Sequence, residues 1–237
     1  MKEQYFGDER DFKKYGLIRG LLARTHATLG VNWLLTGPDN SGQGKTVSYL
    51  ERPDKYRHVD PELFTALKIL VPLRAQDRTH PTRLLMFQQA GLLPNAKFYS
   101  EQWDGAKSVE ARKQLLQSAS KQLGHTNLVF LDPDNGFEVK SAQQVWKYVL
   151  WDEVGFFLER SSVLIYQHRP HVTNMEMLLE KKEQIMQRFS PAGLAVFQDR
   201  DVSFFLICRA EHQPWIFSRA YELGRYLGFA DVKLFTR

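Results

Sequence analysis

Asp132, Pro133, Asp134, Asn135 and Gly136 follow directly on the apolar run 128–131. Such a run reads as a buried strand, and the polar cluster after it is made of turn formers that end it. In an open α/β sheet, ligands bind just beyond the carboxyl ends of the strands. Two carboxylates and a carboxamide placed there can exchange protons, orient a water molecule or stabilise a developing cation. Asp132 and Asp134 are therefore candidate catalytic groups. Asn135 and Glu138, in the same segment, are candidates for holding substrate.

Two other strand ends carry similar chemistry. Residues 30–36 form a second apolar run, followed by Gly37, Pro38, Asp39, Asn40 and a stretch containing Gly42 and Gly44. Glycines let a backbone approach a ligand closely. Asp39 and Asn40 are candidates to position or activate water, and Lys45 is a candidate phosphate contact. Gly44, Lys45 and Thr46 copy the end of a phosphate-binding loop, but Asp39 stands where that motif needs its first glycine. Pro53 also interrupts the helix that should follow. The pattern argues against an ATPase and for a polar loop that closes over a substrate. The third run, 162–166, leads into Gln167, His168, Arg169, Pro170 and His171. Histidine titrates near neutral pH and arginine offers a fork suited to phosphate. His168 is the candidate to assist a leaving group, and Arg169 and His171 are candidates to bind substrate. The single cysteine, Cys208, lies in an apolar run and reads as a core residue. No Cys/His framework for structural zinc exists, so no metal is expected; separately, no cofactor is expected.

A chain of 237 residues with 43% hydrophobic residues can build one sizeable α/β core, and no composition shift divides it, so a single domain over 1–237 is expected. No apolar run reaches membrane-spanning length and the first residues do not resemble a secretory signal. One cysteine fits a reducing compartment, so a cytoplasmic protein without a membrane partner is expected. The formal net charge of +5, a pI near 9.2 and 13% aromatic residues suit a protein that grips phosphates and stacks bases.

The elements that would position these groups alternate. The segment 5–22 reads as a turn and then a helix capped by Asp8 or Asp11. Phe12, Tyr15, Ile18 and Leu22 would face the core, while Lys13, Lys14 and Arg19 give a basic side, either a solvated face or a phosphate-contacting patch. Asp60 and Pro61 open another helix, and Arg57 just before it is a candidate substrate contact. Residues 97–100 read as a short strand, 109–123 as an amphipathic helix, 143–151 as a helix, and 175–189 as a helix whose methionines fill the core. Residues 193–197 and 202–208 read as an antiparallel hairpin, and 217–227 as a final helix. The expected fold is a three-layer α/β domain: a mixed, mostly parallel sheet between helices, with a C-terminal antiparallel hairpin.

Tyr5, Phe6, Gly7 and Asp8, with the run from Lys14 to Arg19, and Leu131 to Glu138 with its Asp-Pro-Asp-Asn-Gly core, resemble the motifs of an uncharacterised bacterial family. The resemblance spans most of the chain. It implies anti-phage DNA glycosylases that remove glucosylated hydroxymethylcytosine. More loosely, the Gly37 loop and the Gln167–Pro170 stretch are similar to the first motif and the later His-Pro motif of uracil-DNA glycosylases. Asp132-Pro133 and the strand–helix order resemble class I methyltransferases, which bind S-adenosylmethionine. The resulting expectation is a metal-free DNA glycosylase acting on double-stranded phage DNA. Asp39, Asn40, Asp132, Asp134 and His168 would carry the chemistry, and Asn135, Glu138, Lys45, Arg57, Arg169 and His171 would hold the substrate. The alternatives are an S-adenosylmethionine-dependent methyltransferase and a catalytically inactive nucleic-acid-binding protein.

Overall fold

The computed structural model describes residues 1–38, 46–73, 82–104, 108–139, 142–168 and 175–236. The strands are β1 (Leu29–Asn32), β2 (Ala96–Tyr99), β3 (Leu128–Leu131), β4 (Gly136–Phe137), β5 (Tyr148–Val149), β6 (Ser162–His168), β7 (Gly193–Gln198), β8 (Val202–Cys208) and β9 (Asp231–Thr236). The α-helices are α1 (Glu9–Leu22), α2 (Pro53–Tyr56), α3 (Pro61–Leu70), α4 (Arg83–Gln89), α5 (Val109–Leu123), α6 (Trp151–Leu158), α7 (Met175–Phe189) and α8 (Ala220–Tyr226).

A seven-stranded sheet in the order β2-β1-β3-β6-β8-β7-β9 forms the middle layer, and β4 pairs separately with β5. The strands β2, β1, β3 and β6 run parallel. The pairings β6–β8, β8–β7 and β7–β9 are antiparallel, so the expected C-terminal hairpin is present and closes a mixed sheet. The central strands are mostly apolar because both faces are covered. Leu128, Phe130, Phe204 and Leu206 point into a core shared with α1, α3 and α4. Val129, Leu131, Phe205 and Ile207 alternate with them into a second core shared with α5, α6 and α7. Cys208 is fully buried in β8, where burial pushes its thiol up to about 11. Met177 and Met186 pack against the second core. Among the described residues no helix is long and apolar enough to cross a membrane.

The chain passes from β1 outward to β2 and then back across to β3 on the other side of β1. Such a reversal opens a crevice at the carboxyl ends of the two central strands. Two expectations change. Residues 143–151 do not make a helix: they form a 3-10 turn at Val145–Lys147 and strand β5, and α6 begins only at Trp151. Arg112 explains the shape, since its guanidinium donates to the Val145 and Tyr148 carbonyls while pairing with Glu153 at 2.5 Å. Strand β9, which had no counterpart in the sequence reading, extends the sheet beyond β7.

Candidate functional site

A cleft of about 270 Å³ opens at the switch point, lined in part by Asp8, Asp11, Lys14, Asp132, Asp134 and His168. Its floor is the end of β3. Asp132 accepts a hydrogen bond from the Lys14 ammonium at 2.8 Å, and the same ammonium pairs with Asp11 at 2.6 Å. All three side chains are buried. Burial opposes charge on Lys14, but Asp11 and Asp132 outweigh it and hold the ammonium above its usual range. Burial raises the Asp132 carboxyl, with Lys14 pulling the other way. The expectation that Lys14 belongs to a solvated helix side is therefore corrected: it faces a buried acidic pair. Lys13 and Arg19 are also engaged, with Asp199 and with Asp60 and Glu62.

Asp134 sits one turn further on. Its Oδ2 accepts a hydrogen bond from Thr36 at 2.6 Å and lies 3.4 Å from the Lys2 ammonium. Its Oδ1 lies 3.2 Å from the Met1 amino group, yet that pair is not aligned as a hydrogen bond, leaving Oδ1 without such a partner. Burial works against ionisation here. The amino group, Thr36 and Lys2 prevail and hold the carboxyl below its ordinary range.

Gln167 shapes the turn that carries these groups. Its amide donates to the Asn135 and His168 carbonyls at 2.8 Å each and accepts from the Phe137 N–H at 3.0 Å. Gly136 lies between, with φ +107°, and a Cβ there would fall 2.3 Å from the Gln167 amide. Only glycine fits both the conformation and the space.

The other wall comes from the start of α1. Gly7, at φ +88°, turns the chain so that its N–H donates to Asp11 at 2.7 Å. Asp8 then caps α1, its Oδ1 accepting from the Asp11 N–H at 3.0 Å. The cap expected at Asp8 or Asp11 is Asp8. Its Oδ2 lies 3.7 Å from Arg10. Burial and the neighbouring Asp11 push the Asp8 carboxyl up to about 7. That value is suited to proton exchange at neutral pH. Tyr166 on β6 completes the wall, and burial keeps its phenol protonated well above the ordinary range.

The cleft thus brings together Asp132, Asp134, Asn135 and His168 from the sequence expectations. Glu138 and Arg57 lie elsewhere. Glu138 accepts from the Trp151 N–H at 2.8 Å, at the start of α6, and Arg57 is exposed at the end of α2. Asp39, Asn40, Lys45, Arg169 and His171 lie outside the described residues. Asp8, Asp11 and Lys14 were not among the predicted site residues. A signal was present, because Asp11 and Lys14 stand four residues before Tyr15 and Ile18, on the core-facing register of α1. Among the described residues no group of His, Cys, Asp and Glu side chains is arranged to hold a metal ion. No protein-family model matches the chain, and no curated protein matches it.

Proposed function

We propose that the cleft hydrolyses the N-glycosidic bond of a modified base in DNA. The observation that carries this reading is one cleft at the sheet's switch point holding carboxyls of opposite tuning: Asp134 kept ionised and Asp8 poised near 7. Environments that push two carboxyls apart in this way separate a charge-stabilising role from a proton-exchanging one. Glycosidic cleavage uses both, because its transition state has oxocarbenium character and a water must be activated.

In this reading Asp134 stabilises the cationic sugar. Asp8 takes a proton from water as the water oxygen bonds to C1′. The C1′–N bond breaks, its electron pair leaves with the base, and His168 assists that departure. Asp132, held by Lys14, fixes the floor on which the sugar rests, and Asn135 reads the substrate. Asp39 and Asn40 remain proposed water-positioning groups. A target base must leave the helical stack to enter a cleft of this size. The +5 charge supports a polyanionic partner. Glucosylated hydroxymethylcytosine as the base, and phage DNA as its source, follow from the motif resemblance.

Incubation with DNA containing glucosylated hydroxymethylcytosine should produce abasic sites, detected by alkaline strand cleavage, and Asp134→Asn should abolish them. Intact DNA after prolonged incubation, or undiminished cleavage by Asp134→Asn, overturns the proposal. A methyltransferase is the second reading, favoured by the crevice between β1 and β3, where a nucleoside-bearing cofactor would also sit. Calorimetry with S-adenosylmethionine separates the two: micromolar binding supports the methyltransferase, and no heat removes it.

A further inference from the structure

The cleft's cations are not equivalent. Lys2 is matched to Asp134, Lys14 to Asp11 and Asp132, and Arg10 to Asp201. Lys147 also lines the cleft, yet among the described residues its ammonium has no carboxylate or hydrogen-bond partner. Its backbone, by contrast, is fixed. The Lys147 carbonyl accepts from the Asn135 N–H at 2.9 Å, tying it to the same turn that carries Asp132 and Asp134, and strand β5 begins at the next residue. Lys147, half-buried and with its ammonium uncommitted, is thus tied through its backbone to the turn that forms the cleft wall.

We infer that Lys147 is the phosphate-binding residue of this cleft, taking the phosphate attached to the sugar whose base is cut. The remaining lining supports a single anion position. The four aspartates disfavour anions, and Lys2, Lys14 and Arg10 are already paired, the first two with cleft aspartates and Arg10 with Asp201. A lysine acts on phosphate as a compact point charge that needs no bidentate geometry. The inference rests on the glycosidic reading for the nature of the nucleotide, but phosphate binding itself can be measured without turnover.

The test uses inorganic phosphate, followed by calorimetry at low salt, and a single-stranded oligonucleotide titrated over a range of salt. Wild-type protein should bind phosphate. Lys147→Ala should weaken that binding at least about tenfold, and Lys147→Arg should restore most of it. If the phosphate belongs to a DNA strand, Lys147→Ala also lowers the salt slope for the oligonucleotide by about one unit. If the slope is unchanged while phosphate binding is lost, the site takes the phosphate of a free mononucleotide. Equal phosphate affinity in wild type and Lys147→Ala, or no phosphate binding by wild type, overturns the inference. Base release by the wild type is scored separately: its absence with phosphate binding intact defeats the glycosidase and leaves Lys147 as an anion site.

Discussion

In the proposed reading, Asp8 joins an acid–base role to its observed helix cap, and one substitution can separate the two. As a helix cap it needs only an acceptor oxygen, which asparagine also supplies. As an acid–base group it needs a titrating carboxyl. Asp8→Asn should therefore keep α1 folded while lowering turnover roughly 10²–10⁴-fold, and the rise of activity with pH through about 7 should vanish. Stability carries the same signature. The folded carboxyl, raised by burial and Asp11, binds a proton up to about 7, whereas the unfolded one releases it near 3.8. Folded protein holds the extra proton between those values, so stability falls as pH rises across that window. Urea unfolding at a series of pH values should show this fall in wild type and a shallower one in Asp8→Asn; parallel curves would remove the carboxyl from this role. Lys14 makes the complementary case. Replacement by methionine leaves Asp11 and Asp132 buried without their ammonium and should cost about 3–5 kcal/mol at neutral pH. Acidic pH, by protonating Asp132, whose carboxyl burial already raises, should recover part of that loss. The sequence exposed Asp132 and Asp134 because a strand ending in turn formers is a local pattern. It did not expose Lys14, whose partner Asp132 is 118 residues away.

At the scale of elements, the turn between β3 and β4 sets the geometry of the cleft. Gly136→Ala introduces a strained φ and a collision with Gln167, and should destabilise the fold by roughly 1–3 kcal/mol or more. Adding Gln167→Ala should remove the collision but not the strain, so denaturant unfolding of the double variant should recover only part of the loss. Full recovery would mean that the backbone conformation matters little. The same scale shows what periodicity can convey. The strands β3, β6, β7 and β8 were legible because burial on both faces leaves mostly apolar runs. The helices α1, α3, α5 and α7 were legible from caps and helical spacing. Residues 143–151 misled because their conformation is imposed by Arg112, a tertiary contact with no local trace. Strand β9 escaped notice because its buried residue, Val232, stands among exposed and half-exposed neighbours.

For the whole molecule, the net charge of +5 favours encounter with polyanions. If DNA is the partner, binding should weaken steeply with salt as lysine and arginine displace counterions. Arg57 is exposed and off the cleft, so Arg57→Ala should lower the salt slope by about one unit without slowing single-turnover chemistry. A slope unchanged by Arg57→Ala would place the DNA path elsewhere. Topology has its own consequence. Because β8 runs back beside β6, the turn after β7 reaches the edge where α1 lies, and Asp199 and Asp201 pair there with Lys13 and Arg10. The first helix is thus anchored by residues 186 and 191 positions downstream. On the ribosome, α1 emerges with its local Asp8 cap and Lys14–Asp11 pair at hand, while the partners of Lys14, Lys13 and Arg10 at Asp132, Asp199 and Asp201 are made only later. Contacts this distant in sequence form slowly. The wall of the cleft that α1 supplies would then reach its final anchorage only after the turn between β7 and β8 has been made.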